Sequence, residues 1–301
     1  ILEDGHINNN VRIAVADGLD PIDAICMATV NSSECYGLSD RGAIAPGLRA
    51  DLVLSSDLSS FTMSHVYIGG KLVAQDGKIL KAVPPHHDPK VASKMHVKDF
   101  SAARLALPLK SSLVRIIDAI PGGVVTGAGE AEVSAVDGLW VHDPDVDIIK
   151  LAVVERHKGT GNVGVALIRG FGLKGGAIVS SVGHDSHNIV VAGDNDIDMV
   201  FAVEHLIAIG GGMALIKAGK VLASLAMPIG GLMSDKPGSE IAKTLDTLQE
   251  VGQKEFSINK DMDVFTTLSF MALPVIPAYK LTDRGLFDVR SFSFVPLEIS
   301  R

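Results

Sequence analysis

Apolar and polar positions follow two rhythms along this chain of 301 residues, one helical and one extended. Residues 7–37 carry the helical one. NNNVRIAVADG starts on asparagines suited to capping and ends at Gly18; Asp20-Pro21 then opens IDAICMATVNSSECYG, which ends at Gly37. The spacing next turns extended through GAIAPGLRADLVLSSD and HVYIGGKLVAQDGK, with Gly69 and Gly70 at a turn, which predicts a small β unit. Residues 80–104 hold no sustained pattern and are broken by Pro84, Pro85 and Pro89, so they read as a linker.

From about residue 105 a second unit is expected. LVRIIDAIPGGVVTGAGEAEV is followed by the strand-like IIKLAVVERH, the helix-like NVGVALIRGFG and the strand-like GAIVSSV, an alternating β, α, β order. Asn188–Gly193 reads as another short strand. DNDIDMVFAVEHLIAIGGG then reads as a helix: its acidic first turn suits the positive end of the dipole, Val200, Val203 and Leu206 or Ile207 share a face, and Gly210 stops it. A hairpin over MALIKAGKVLASLAM, a helix from Lys236-Pro237 to Gly252, and a proline-punctuated, extended tail complete the pattern. The chain carries no internal repeat and no low-complexity tract.

Composition agrees with an α/β protein that has buried sheet: 47% of residues are hydrophobic and only 5% aromatic, with 31 glycines. The formal charge of −8, without a clustered basic face, argues against nucleic acid or an anionic membrane as partner. No run of about 18 apolar residues predicts a membrane span, and no secretory leader is recognisable. Cys26 and Cys35 are expected to be buried thiols of a reducing compartment, which fits the cytoplasm. The opening phrase ILEDGHINNN runs straight into a helix, so an N-terminal portion is expected to be missing.

Most motif-like stretches lose their chemistry when their context is examined. Gly170-Phe171-Gly172-Leu173-Lys174-Gly175 has dinucleotide-fingerprint spacing, but the expected order, after a helix and before a strand, offers no helix N-terminus to a pyrophosphate; a helix cap and turn is expected instead. Asp194, Asp196 and Asp198 begin like a calcium loop, yet Met199 and His205 stand where the turn glycine and the closing glutamate belong, which leaves solvated acids at a helix start. The cysteines do not supply a zinc-deaminase motif, no His-Glu-x-x-His occurs, and His86 and His87 read as an exposed pair.

SSVGHDSHNIVVAGDND, residues 180–196, remains. His184, Asp185, Ser186, His187 and Asn188 concentrate groups that exchange protons near neutral pH at the end of a strand, where α/β sites gather. Side chains three apart on a strand face opposite ways, so both histidines serve one site only if the segment bends, which Gly183 permits. Ser186 lacks the Gly-x-Ser-x-Gly elbow of a triad nucleophile. The residues alone leave two readings open, a functional site and a structural polar turn.

Two stretches taken together carry a resemblance. GHINNNVRIAVADGLDPIDAICMATVNSSECYGLSDRGAIAPGLRADLVL resembles the end of an amidohydrolase barrel and its return into a small β-sandwich. SSVGHDSHNIVVAGDNDIDM, with GGGMA and LASLAMPIGGLMSD, is similar to the C-terminal domain of the bacterial adenine deaminase family. The resemblance implies an α/β fold: a remnant of a metal-dependent hydrolase (β/α) barrel end over residues 1–38, a β-sandwich segment over 39–82, a linker over 83–104, and an α/β C-terminal domain with a mixed sheet over 105–301. It implies hydrolysis of adenine to hypoxanthine and ammonia by a water activated on two metal ions, manganese or iron.

The family's ligands, a His-x-His pair, a Glu, further histidines and an Asp on the barrel strands, do not map onto this chain. No metal ligand is therefore assigned, and the chain by itself is expected to bind no metal and to be inactive. Under this resemblance His184, Asp185 and His187 are expected as proton-handling catalytic groups, and His6, Ser186 and Asn188 as substrate-binding groups. Adenine, the missing N-terminal barrel portion and further copies in a homo-oligomer are the expected partners. The alternative is a structural, oligomerising cap on an amidohydrolase acting on another cyclic amine or amide.

Overall fold

The computed structural model describes residues 3–81, 83–84, 88–92 and 95–299, so His86 and His87 lie outside the described residues. The chain divides into two compact units, residues 1–86 and 87–301. The first opens with α1 (Ile7–Ala16) and α2 (Pro21–Cys26); a π turn over Met27–Asn31 then leads into α3 (Ser32–Cys35). Asp20 starts α2 as the sequence predicts: its carboxylate accepts from the backbone N–H groups of Ile22 and Asp23, and Pro21 supplies a preset φ. Four antiparallel strands follow in spatial order β1 (Leu52–Ser55), β2 (Met63–Ile68), β3 (Lys71–Gln75) and β4 (Lys78–Ile79). The β2–β3 turn places Gly69 and Gly70 at positive φ, the geometry that matches strand twist in a tight hairpin. Cys26 is half-buried and Cys35 exposed, against the expectation of two buried thiols, because α3 presents its last turn to solvent.

The second unit is built on an eight-stranded mixed sheet. Its strands come from β5 (Leu113–Ala119), β6 (Thr126–Glu132), β9 (Ile148–Val154), β10 (Val163–Arg169), β11 (Ala177–Ser180), β12 (Ile189–Gly193), β13 (Gly212–Lys217) and β14 (Lys220–Ala226), in the order β14-β13-β11-β12-β9-β10-β5-β6. A small hairpin of β7 (Ala135–Val136) and β8 (Leu139–Trp140) precedes β9. β10 and β5 form the parallel pair; the other neighbours run antiparallel.

Both sheet faces are covered. Ile149, Leu151, Val153, Ile178, Val190 and Ala192 point to one side. There they meet α5 (Gly238–Phe256), α6 (Val264–Phe270) and a three-stranded sheet of β15 (Tyr279–Thr282), β16 (Gly285–Asp288) and β17 (Ser293–Phe294). Ala152, Val154, Val179 and Val191, their alternates, point to α4 (Asp196–Ile209), which packs Met199, Ala202, Val203 and Leu206 against them. Each valine, leucine, isoleucine or methionine side chain so removed from water contributes roughly 1.5–3 kcal/mol.

Two expectations change here. NVGVALIRGFG is not a helix: Val163–Arg169 is β10, hydrogen-bonded to β9 and β5. A strand covered on both faces reads as a continuous apolar run, which a short helical pattern resembles. Consequently the 170–175 glycine phrase follows a strand, and the Asp147 carboxylate accepts from the N–H groups of Gly170 and Gly172 at 3.0 and 2.9 Å, occupying the position an anion would take.

Of the three aspartates at the start of α4, Asp198 is not a solvated acid, while Asp194 and Asp196 are half-buried and bonded. Asp198 is 4% exposed and accepts from the N–H groups of Ala218 and Gly219. Asp194 accepts from Gly175 and Gly176, and Asp196 pairs with buried Lys150. No helix among the described residues is long and apolar enough to cross a membrane.

Candidate functional site

The loop Ser181–Asn188 joins antiparallel neighbours β11 and β12 at one end of the sheet. Register decides what lies beside it. Ile189 of β12 pairs with Val154 of β9, so the residues leaving β9, Glu155–Arg156–His157, run abreast of those entering β12. His157 Nε2–H donates to the Ser186 carbonyl at 2.8 Å, which sets its tautomer, and Arg156 Nε–H donates to the His187 carbonyl.

The bend expected at Gly183 does occur, but other residues carry it. Asp185 and His187 take φ of +66° and +48°, a left-handed conformation that costs a non-glycine residue roughly 1–2 kcal/mol. Gly183 matters for space: a Cβ there would approach the Asn188 carbonyl oxygen to 3.3 Å. His184 is tied to α6 through its N–H, which donates to the Ser269 carbonyl at 2.9 Å, and its ring packs on Phe270 with centroids 4.8 Å apart.

The loop side chains differ in environment. His184 and Asp185 are exposed, with Nδ1 and Oδ1 3.7 Å apart. Ser186 is exposed. His187 is half-buried, and burial, reinforced by the positive Arg156 and by His157 and His184, pushes its imidazole toward the neutral form against the opposing effect of Asp185. Asn188 is 5% exposed. His187 Nδ1 and Asn188 Oδ1 are buried, and within the described residues neither finds a hydrogen-bond partner. An unpaired buried polar atom costs about 1–3 kcal/mol, so a turn carrying two of them, with Asp185 and His187 left-handed, is held against its local preference.

Beneath the loop, Ser181 is fully buried; its hydroxyl donates to the Gly231 carbonyl at 2.6 Å and accepts from the Gly212 N–H at 2.7 Å. Gly211, at φ +107°, comes so close to Gly231 that a Cβ would lie 2.5 Å from its Cα.

The structure thus brings His184, Asp185, Ser186, His187 and Asn188 together on one bent loop. His6, in the first unit, is exposed at the N-terminus of α1, where its backbone N–H donates to Asn8 Oδ1 at 3.0 Å. Sequence reasoning passed over Glu155, Arg156 and His157. The available signal was a charged triplet, Glu-Arg-His, closing a strand that is apolar except for Lys150. Glu155 is buried and accepts from the N–H groups of His157, Lys158 and Thr160 and from the Thr160 hydroxyl. Burial alone would raise its carboxyl pKa; those donors bring it down to about 2.

Among the described residues no group of three or more His, Cys, Asp or Glu side chains could hold a metal ion. The donors of the loop do not fit a metal centre, and the groups it offers for chemistry are two imidazoles, a carboxylate, a hydroxyl and an amide.

Residues 123–293 match the family model described as the adenine deaminase C-terminal domain. The chain belongs to the adenine deaminase C-terminal domain family. The match contains every residue of the His184–Asn188 loop, together with Arg156 and His157. Residues 3–73 match the amidohydrolase family model. Among curated relatives of this family, the adenine deaminase of Nitratidesulfovibrio vulgaris (strain DP4) is 50% identical over 299 residues, covering 99% of this chain and 52% of its own length. Adenine deaminase 2 of Desulfotalea psychrophila is 47% identical over 302 residues, with the same two coverages. The adenine deaminase of Bacillus pumilus is 39% identical over 300 residues, again covering 99% and 52%. The chain spans about half the length of the curated relatives it matches.

Proposed function

We propose that this chain is the C-terminal part of a metal-dependent adenine deaminase, which hydrolyses adenine to hypoxanthine and ammonia. The observation that carries the reading is identity of 50% over 99% of the chain to a protein named adenine deaminase. Residues 1–38 then serve as the end of the catalytic barrel, 39–82 as its small sandwich segment, 83–104 as a linker and 105–301 as the C-terminal domain. The reaction replaces the amino group of the purine with the oxygen of water. In the complete protein two manganese or iron ions held outside this chain would supply the activated water.

The His184–Asn188 loop contributes the rest. Ammonia leaves only after the amino nitrogen gains a proton, and the exposed His184–Asp185 pair is suited to deliver it. His187, kept neutral, and the Asn188 and Ser186 side chains hydrogen-bond the edge of the purine; His6, in the first unit, is by itself a candidate substrate-binding group. The setting expected for the complete protein is a homo-oligomer in the cytoplasm.

The test is an adenine-deamination assay with metal analysis on this chain alone and on the complete protein. The expected result is activity, with bound metal, for the complete protein and none for the chain alone. His184→Ala and His187→Ala in the complete protein are expected to lower kcat at least tenfold. An active isolated chain would overturn the division of labour, and unchanged rates in both variants would reduce the loop to a structural turn.

A further inference from the structure

We infer that Arg156 and His157 are positioning residues that hold the His184–Asn188 loop in its working shape. The inference rests on the reading above that this loop serves adenine deamination. Arg156 is 2% exposed and forms no ion pair among the described residues. Its guanidinium is spent instead on neutral acceptors from three separate segments: the His187 carbonyl, the Gly230 carbonyl at 3.1 Å, and Met95 Sδ at 3.5 Å. Burying a cation without a counter-charge is unfavourable, and a core built for stability alone would place an apolar side chain there. What the guanidinium achieves is geometric, because its planar fork fixes the direction of the His187 carbonyl relative to the 230–231 turn. The fit is close on the turn's side: a Cβ on Gly231 would lie 2.8 Å from Nη1.

His157 does the same work one residue earlier in the loop, on the exposed side, through its bond to the Ser186 carbonyl. Both clamps stand on a rigid base, since Glu155 gathers the N–H groups of His157, Lys158 and Thr160. The two clamped carbonyls belong to the stretch in which Asp185 and His187 are left-handed and the polar atoms of His187 and Asn188 are unpaired. A loop under that strain relaxes when its outside bonds are removed, and its side chains move with it.

The experiment uses the complete protein and compares His157→Ala, His157→Gln, Arg156→Lys, His184→Ala and His187→Ala by steady-state kinetics and thermal unfolding. His157 is exposed, so its variants fold; they decide the matter if Arg156→Lys does not. His157→Ala and Arg156→Lys are expected to lower kcat by about tenfold to hundredfold, the scale on which small misplacements act, with KM within about threefold. His157→Gln, which keeps a donor for the Ser186 carbonyl, is expected to recover most of that loss, and the His157 variants are expected to keep the parent unfolding midpoint. Parent kcat in His157→Ala and Arg156→Lys, alongside impaired His184→Ala and His187→Ala, would overturn the positioning role and leave the loop's role standing. Losses of kcat that follow unfolding midpoints and are not recovered by His157→Gln would also overturn it. Parent rates in both His184→Ala and His187→Ala would remove the reading on which it rests.

Discussion

At Glu155, one buried carboxylate organises the turn that carries Arg156 and His157. Its carboxyl pKa, about 2 against an ordinary 4.5, makes its contribution depend on pH in a defined direction. The folded-state value is the lower one, so the stabilisation is fully present above the unfolded pKa and is lost as pH falls from about 4.5 toward 2. Glu155→Gln is expected to cost about 2 kcal/mol at pH 7 and to flatten that part of the acid-unfolding curve, as measured by urea titrations between pH 2 and 7. An equal loss at every pH would mean that packing, and not the ionised carboxylate, holds the turn. The same scale explains why this triplet was hard to read in sequence. Glu-Arg-His shows no spacing of its own, whereas His184–Asn188 draws notice by density alone, and the acceptors of the former lie 29 and 31 residues away in the latter.

At the scale of elements, local signals were legible wherever one residue acts on its own helix or turn. Asp20-Pro21 starts α2, Asn195 caps α4 by accepting from the Asp198 N–H, and Gly210 ends α4 in a left-handed conformation. Periodicity misled at Val163–Arg169, because a strand buried on both faces has no polar alternation to reveal it. It was silent at Asp198. This residue sits where a helix start favours an acid, yet it is buried because the β13–β14 turn places the N–H groups of Ala218 and Gly219 against it. Asp198→Ala strands both donors and is expected to destabilise the second unit by roughly 2–3 kcal/mol, read from chemical denaturation. A change below about 0.5 kcal/mol, the range of an ordinary surface substitution, would restore the solvated-acid reading.

At the scale of the whole molecule the two units differ in what they bury. The principal apolar clusters are drawn from residues of the second unit, from Val97 onward. In the first, Ala24, Ser33 and Phe61 are the buried residues among those described, while Ile7, Ile22, Met27 and Ile44 stand exposed. A polypeptide of residues 87–301 is therefore expected to unfold cooperatively, with slow amide exchange in β9, β11 and β12. Residues 1–86 alone are expected to show no cooperative transition. Calorimetry and hydrogen exchange on the two pieces check this, and a cooperative transition in the smaller piece would contradict it.

The sequence by itself determined the caps, the glycine turns, the apolar segments available for a core, the family resemblance and the loop rich in proton-exchanging groups. These depend on interactions within a few residues, or on composition, and so remain visible in one dimension. Only the tertiary structure decided that Val163–Arg169 is a strand, that Ile189 pairs with Val154, and that Arg156 and His157 consequently grip the His184–Asn188 loop. Strand register is set by how two buried faces pack against α4 on one side and α5 and α6 on the other, and no short-range pattern encodes that.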